Sequence, residues 1–420
     1  MPSICLYFQV HQPFRLKPYD CFKIGYDHQY EDVDKNLEIL NRVAAKCYLP
    51  ANKTLLRLIE KYQGDFKIAY SISGTALEQM EKYRPDVLRS FQTLAHTGCV
   101  EFLSETYYHS LSYLYSKEEF IRQIGKHKNK IEELFSQSPT VFRNTELIYN
   151  NEIANFISTL GFKGILCEGL DHILGYKSPN FLYHPPKNPT LKSLLKNYKL
   201  SDDIAFRFSN KDWAEWPLTA PKFARWVHQT AGNGETINLF MDYETFGEHQ
   251  WPETGIFNFL DHMPAEIFKH PDFDFKTPTE VIDAYESRGE YDVHHLSSWA
   301  DIERDLSAWL GNSLQHDAME RVYNLEKAVK ETADEVIIDN WAKLLTSDHY
   351  YYMCTKYWND GDVHKYFSHY NTPYDAYINF MNIVTDLEHV LEENYEKLSS
   401  QLSKNVDKLP FDYALPITTV

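Results

Sequence analysis

Residues 237–251 read INLFMDYETFGEHQW. The first part, 237–242, is a nearly continuous apolar run, which is typical of a strand buried on both faces of a parallel sheet. The second part is a dense string of acids, aromatic residues and one histidine. A buried strand that ends in such a string indicates a parallel α/β fold, in which functional side chains gather at the carboxyl ends of the strands.

Six further apolar runs predict strands of the same kind, and helical patterns lie between most of them. The clearest helices are predicted at 117–135 and 151–160, and Gly161 ends the second. Repeated βα units without a glycine-rich dinucleotide motif after the first strand favour a barrel over an open sheet. The seven predicted strands are 4–10, 66–73, 100–104, 140–145, 164–167, 204–208 and 237–242.

The pattern changes near Ser298, after which helical periodicity dominates. Ser298 and Asp301 resemble a capping box, so we expect a helix to begin there, and a second helical block is predicted at 373–402. The predicted fold is an incomplete TIM-type (β/α)7 barrel followed by a helical domain. We place the barrel at residues 1–290 and the helical domain, which completes the active-site cleft, at residues 291–420.

Composition excludes several classes of partner and location. The chain of 420 residues has 42 Lys and Arg against 60 Asp and Glu, a net charge of −18, and no basic run, so we expect no nucleic-acid or anionic-membrane partner. The oligomeric state is not readable from the sequence.

The six cysteines are widely spaced, which is typical of a reducing compartment. Because residues 2–10 lack the marks of a signal peptide and no apolar run could span a membrane, we expect a cytoplasmic protein.

Acidic side chains dominate the predicted strand ends. A barrel mouth lined with carboxylates suits either metal binding by oxygen ligands or acid, base and nucleophilic chemistry. An acid at a strand end can also be simply solvated, or can cap the next helix. No HExxH, GxSxG or P-loop motif is present, so a metal hydrolase depends on the acids and His11 alone.

Five short strings occur in order along the chain: HQP at 11–13, GCVEFLSETYY at 98–108, FRNTE at 142–146, MDYETFG at 241–247 and SWADIERDLSAWLGN at 298–312. Together they resemble the five motifs of glycoside hydrolase family 57, which includes α-amylases and 4-α-glucanotransferases. The resemblance covers residues 1 to about 315. It implies a (β/α)7 barrel followed by a helical region, which agrees with the seven predicted strands. It also implies a retaining reaction on α-1,4-glucans and maltooligosaccharides.

The resemblance assigns roles to single residues. Glu146 would be the nucleophile and Asp242 the general acid/base, and this chain keeps both acids, which some amylase-like members of the family have lost. Asp242 must hold a proton, and we expect Glu244 and burial against Tyr243, Phe246 and Trp251 to raise its pKa. No metal or cofactor is expected. The residues expected to bind substrate are His11, Glu101, Glu244, His249, Trp251 and Trp299.

The sequence leaves three functions open. The first is a retaining glycosidase or transglycosidase, for which water and sugar acceptors would use the same pair of acids. The second is a metal-dependent carbohydrate hydrolase or deacetylase on a similar barrel. The third is a relative that binds glucan without turning it over. Flat aromatic rings suit sugar binding in all three, and the chain has 30 Tyr, 25 Phe and 8 Trp.

Overall fold

The structure, a computed structural model, describes residues 2–356 and 367–406, with side chains up to residue 396. Seven parallel strands follow one another around a barrel in the order β3, β2, β1, β8, β7, β5, β4. Two short strands lie beside this path, since β6 pairs antiparallel with β7 and β9 pairs with the start of β1. The strands are β1 Ser3–Val10, β2 Ile68–Ile72, β3 Val100–Phe102, β4 Val141–Arg143, β5 Gly164–Glu168, β6 Leu182–Tyr183, β7 Lys192–Lys196, β8 Thr236–Asp242 and β9 Asp274–Phe275.

The two ends of this sheet meet at a single bridge. The backbone N–H of Ser104 donates to the carbonyl of Val141 at 3.0 Å, and the N–H of Arg143 donates to the carbonyl of Ser104 at 2.8 Å. These bonds join the end of β3 to β4, while β7 and β8 are paired only at Lys196 and Asn238. The predicted (β/α)7 barrel is confirmed.

Helices cover the outside of the barrel and form the region that follows it. The helix predicted at 117–135 has those bounds in the structure. The helices are Val33–Val43, Leu49–Lys61, Gly74–Tyr83, Pro85–Ala95, Lys117–Phe135, Asn151–Thr159, Asp171–Leu174, Tyr198–Ala205, Ala220–His228, Ile256–Ile267, Pro278–Ala284, Ser307–Leu310, Ser313–Asn324, Glu326–Glu331, Glu335–Leu344, Ser347–Tyr351 and Pro373–Val406.

One predicted strand is wrong. Residues 204–208 form the end of the helix Tyr198–Ala205 and the turn after it, with Phe206 exposed. The alternating pattern arises because one side of this helix end faces the core. The strand that takes its place is Lys192–Lys196, whose terminal lysines hide the apolar pattern. Lys196 is nevertheless 4% exposed, and its Nζ is 2.9 Å from a carboxylate oxygen of Asp202.

The helical region starts later than predicted. Residues 298–306 form an irregular loop in which Ser298 donates to the carbonyl of Asp305, and the first helix begins at Ser307. The predicted block at 373–402 is confirmed as the helix Pro373–Val406. The proposed domain of residues 291–420 includes 357–366 and 407–420, which lie outside the described residues. Within the described part of the chain, no helix has the length and apolar character needed to cross a membrane.

Candidate active site

Polar side chains converge at the carboxyl ends of the barrel strands, as the sequence predicts. Each of the seven strands supplies one at its last residue or within the next few residues. In chain order they are His11 after β1, Ser73 after β2, Glu105 after β3, Glu146 after β4, Glu168 at the end of β5, Lys196 at the end of β7 and Asp242 at the end of β8.

Glu146 has both carboxylate oxygens hydrogen-bonded. His109 Nε2 is 2.9 Å from its Oε1, and Trp299 Nε1 donates to its Oε2 at 2.8 Å. The backbone N–H of Trp299 also donates to the Glu146 carbonyl at 3.2 Å. The Glu146 side chain is 23% exposed, so these bonds hold its orientation while part of it stays accessible from outside.

The surroundings of Glu146 favour its ionised form. Burial alone would raise its pKa, but the hydrogen bond and charge of His109, the charge of Arg143 and the bond from Trp299 more than offset burial. The pKa of Glu146 therefore lies below its ordinary value. An ionised carboxylate at the cleft is what a nucleophile requires.

The pKa of Asp242, by contrast, lies above its ordinary value. Burial, followed by the negative charge of Glu146, raises its pKa to about 6. Among the described residues, none donates a hydrogen bond to its carboxyl group. The two acids thus lie close enough for their charges to interact, and one is held ionised while the other retains a proton near pH 6.

The surroundings of Glu244 differ from the expectation that its negative charge raises the pKa of Asp242. The Glu244 carboxyl group accepts from Tyr48 and from Gln12 Nε2, the latter at 3.5 Å. Burial, followed by the charge of Asp242, raises the pKa of Glu244 to about 8, so at neutral pH it is largely uncharged. The negative charge that raises the pKa of Asp242 is that of Glu146.

The aromatic neighbours expected around Asp242 lie elsewhere. Tyr243 and Phe246 pack in the core between the barrel and its outer helices. Trp251 is 61% exposed, so it does not bury the acid; Lys46 Nζ lies 5.9 Å from the centre of its ring. His249 packs edge-on against Phe367, and burial lowers its pKa to about 4.

Glu101 is not part of this cluster, which corrects its assignment to substrate binding. Its carboxylate accepts from the backbone N–H of Thr279 at 2.9 Å and from the Thr279 hydroxyl at 2.6 Å. That hydroxyl also lies 3.0 Å from Thr140 Oγ1, directly before β4 begins. Glu101 therefore fastens the helix Pro278–Ala284 at the opposite end of the barrel.

Trp299 lies in the cluster in a role different from the expected sugar platform. Its indole N–H holds Glu146, while the Arg143 guanidinium and Lys196 Nζ lie over its ring, 5.1 and 5.3 Å from the ring centre. Trp309, ten residues later, is 2% exposed and belongs to the core. The irregular loop 298–306 thus serves to position one indole ring.

The helical region supplies part of the site. His11 Nε2 is 2.8 Å from Oδ2 of Asp348, which belongs to the helix Ser347–Tyr351, and His11 Nδ1 is 2.7 Å from the Ser73 hydroxyl. The backbone N–H of Ser347 donates to the carbonyl of His109 at 3.0 Å. The barrel and the helices after it therefore meet at the candidate catalytic groups.

Sequence reasoning missed four of these groups, one of which is Lys196 at the end of the unpredicted strand β7. His109 directly follows the string at 98–108, so its only signal is that position. Arg143, fully buried at the end of β4, is hidden inside FRNTE. Asp348 reaches His11 across 337 residues and has no sequence signal. In the described part of the chain, no group of three or more His, Cys, Asp and Glu side chains could hold a metal ion.

Comparison with known proteins agrees with this architecture. The family model for glycosyl hydrolase family 57 matches residues 5–294. A protein of Methanocaldococcus jannaschii named "Putative alpha-amylase" is 46% identical over 411 residues, covering 95% of this chain and 86% of that protein.

Two solved structures share the fold. A branching enzyme of Pyrococcus horikoshii has a TM-score of 0.68 at 15% identity, over 94% of this chain and 91% of the enzyme. The 4-alpha-glucanotransferase of Thermococcus litoralis has a TM-score of 0.65 at 15% identity, over 83% of this chain. This chain spans 56% of the glucanotransferase. The family model matches more than half of the residues of this chain. The chain therefore belongs to glycosyl hydrolase family 57.

Proposed function

We propose that this protein is a retaining glycosidase or transglycosidase that acts on α-1,4-glucans and maltooligosaccharides, with Glu146 as nucleophile and Asp242 as general acid/base. The observation that carries the proposal is the placement of the two acids at the carboxyl ends of strands in one barrel, where His109 and Trp299 hold the Glu146 carboxylate by hydrogen bonds. The lowered pKa of Glu146 and the raised pKa of Asp242 agree with this assignment. Cleavage of a glycosidic bond with retention requires one ionised and one protonated carboxyl group flanking the bond.

The reaction then follows in two steps. Glu146 forms a bond to the anomeric carbon while the glycosidic bond breaks, and Asp242 gives its proton to the departing sugar oxygen. Asp242, now ionised, removes a proton from water or from a sugar hydroxyl, which attacks the same carbon and releases Glu146. Water gives hydrolysis and a sugar hydroxyl gives transfer, both with retained configuration.

The names of the similar proteins support the choice of substrate. The Methanocaldococcus protein is named "Putative alpha-amylase", and the two structural relatives are a branching enzyme and a 4-alpha-glucanotransferase. The exposed ring of Trp251 would stack on a sugar, and the uncharged acid Glu244, together with His11 and His249, would contact sugar hydroxyls. Trp299 would act mainly by holding the nucleophile.

Incubation with maltoheptaose, with products separated by size and their anomeric form followed by NMR, tests this proposal. We expect α-configured products, either shorter chains alone or a ladder that includes longer chains. Initial β-products would contradict the retaining assignment. Binding without turnover would favour the non-catalytic relative.

We expect kcat/KM on unactivated maltooligosaccharides to follow a bell-shaped pH profile. The acid limb reflects ionisation of Glu146 below its ordinary pKa, and the basic limb reflects loss of the Asp242 proton near pH 6. Above that pH the rate should fall about tenfold per pH unit. An aryl maltooside whose leaving group needs little protonation is the control, because its basic limb should be weaker. A rate on maltoheptaose that stays constant from pH 6 to 8 would contradict the role of Asp242.

Exhaustive treatment with EDTA is expected to leave the rate on maltooligosaccharides unchanged, because the reaction above uses two carboxyl groups. The measurement compares the treated and untreated protein, with a zinc-dependent deacetylase treated in parallel as a control. Complete loss of activity that zinc or manganese restores would instead support the metal-dependent carbohydrate hydrolase.

We also propose a cytoplasmic location. Five of the six cysteines are buried, and their wide spacing along the chain is typical of proteins from reducing compartments. Detection of the native protein in a soluble cell fraction, but not in the medium, is the expected result.

A further inference from the structure

Glu105, His109 and Glu146 form a hydrogen-bonded chain at the carboxyl ends of β3 and β4. His109 Nδ1 is 2.9 Å from Oε2 of Glu105, and His109 Nε2 is 2.9 Å from Oε1 of Glu146. The His109 side chain is 1% exposed and that of Glu105 is fully buried. The backbone of His109 has a φ of 52°, a left-handed conformation that is uncommon for residues other than glycine. The fold therefore holds this ring with each nitrogen facing a carboxylate.

Hydrogen-bond chemistry fixes the charge of this ring. An ionised carboxylate can only accept, and a neutral imidazole has a single N–H, so two carboxylates at its two nitrogens require an imidazolium. Burial lowers the pKa of His109, but the bonds to Glu105 and Glu146 outweigh burial and raise it to about 9. For Glu105, burial is likewise outweighed by His109, and its pKa falls to about 2.

Other charged groups face His109 from neighbouring elements. Arg143 lies at the end of β4, Asp242 at the end of β8, and Asp348 in the helix Ser347–Tyr351. The ring of His11 stacks on that of His109, with the ring centres 3.9 Å apart and an angle of 18° between the rings. Burial, followed by the charge of His109, lowers the pKa of His11. Of the two stacked rings, His109 therefore holds its second proton more strongly than His11 does.

We propose that His109 is a positioning residue, a fixed imidazolium that orients the Glu146 carboxylate and has Glu105 as its buried counter-ion. This inference rests on the proposed role of Glu146. When Glu146 bonds to the anomeric carbon, its charge disappears and His109 keeps both protons. When that bond breaks, the electron pair returns to Glu146, and the imidazolium stabilises the renewed charge. His109 thus assists the departure of the carboxylate, and proton transfer is left to Asp242.

The pH profile of a His109→Gln variant tests this role. Glutamine can still donate one hydrogen bond but carries no charge. The acid limb of kcat/KM should move to higher pH because Glu146 loses a neighbouring cation. The basic limb should move in the same direction, because that cation also lowers the pKa of Asp242. We expect both shifts to be about one pH unit or more, with kcat reduced about 10²-fold.

The matched control is His262→Gln, since His262 is an exposed histidine in the helix Ile256–Ile267. It should leave both limbs in place. A loss of rate in His109→Gln with neither limb moved would overturn the inference, because a merely structural residue would behave in that way.

Nitrogen-15 NMR of the histidine-labelled wild-type protein gives a second readout that does not depend on catalysis. At pH 7 the ring of His109 should carry a proton on both nitrogens, and Glu105→Gln should lower the pH at which one is lost. A singly protonated ring at pH 7 would overturn the inference even if His109→Gln fails to fold. If the wild-type protein does not act on maltooligosaccharides, the proposed function fails while the NMR result stands.

Discussion

Replacement of Glu146 by Gln is expected to lower kcat on maltooligosaccharides on the order of 10⁴-fold or more, because it removes the proposed nucleophile and leaves the neighbouring side chains in place. The amide can still accept from His109 or Trp299, so the fold should be preserved. Circular dichroism and thermal unfolding would check this. Glu132→Gln, an exposed position in the helix Lys117–Phe135, is the matched control and should keep full activity.

Azide makes this test specific for the nucleophile. In Glu146→Gln an added azide ion can attack the anomeric carbon only from the face that the carboxylate has vacated, while Asp242 still protonates the leaving sugar. The rescued product should therefore be a glycosyl azide of inverted configuration, measured by the anomeric coupling in its NMR spectrum. Near-full activity of Glu146→Gln would rule out Glu146 and direct the search to Glu105, Glu168 and Glu244.

Asp242→Asn should show a different pattern of loss. Without a proton donor, cleavage of maltoheptaose should slow about 10²- to 10⁴-fold, whereas an activated aryl maltooside should still form the glycosyl-enzyme. That intermediate should accumulate, because no base remains to activate water. Rapid-quench mass spectrometry of the protein and the rates on both substrates provide the measurement.

Azide again separates the roles of the two acids. It needs no general base, so it should release the accumulated intermediate of Asp242→Asn as a glycosyl azide of retained configuration. Asp65→Asn, an exposed aspartate before β2, is the control and should behave as wild type. Equal losses on maltoheptaose and the aryl substrate, without rescue, would exclude Asp242 as the acid/base.

Much of the barrel is readable from the sequence because most of its strands are buried on both faces and therefore nearly continuous in apolar residues. The strand Lys192–Lys196 was not predicted, because lysines at both of its ends are typical of residues that face solvent. In the structure Lys196 is buried against Asp202 and Glu168, partners that only the folded chain brings together. The strand predicted at 204–208 was wrong because buried and exposed residues can alternate at the end of an amphipathic helix as they do in a strand.

The site, like the fold, could be predicted from the sequence only in part. Because parallel strands end at one edge, the acid after β4 and the acid that ends β8 could be placed together from the sequence, and the family resemblance assigned their roles. His109 lies in an irregular segment where no periodicity indicates direction, and Asp348 comes from a distant helix. Protonation states are harder still to predict. The sequence suggests that Glu244 is a negative charge beside Asp242, whereas in the structure it is 8% exposed and burial raises its own pKa to about 8.

The backbone at the end of β4 sets a limit on how this protein can be stabilised. Glu146 and Leu147 follow each other with φ values of 55° and 51°, conformations that cost non-glycine residues on the order of 1 kcal/mol or more each. Glycine would relieve that strain at either position, but at position 146 it would also remove the carboxylate that His109 and Trp299 hold. A glycine selected for backbone relief at position 146 would remove the proposed nucleophile, so directed evolution for heat resistance must select for activity together with stability.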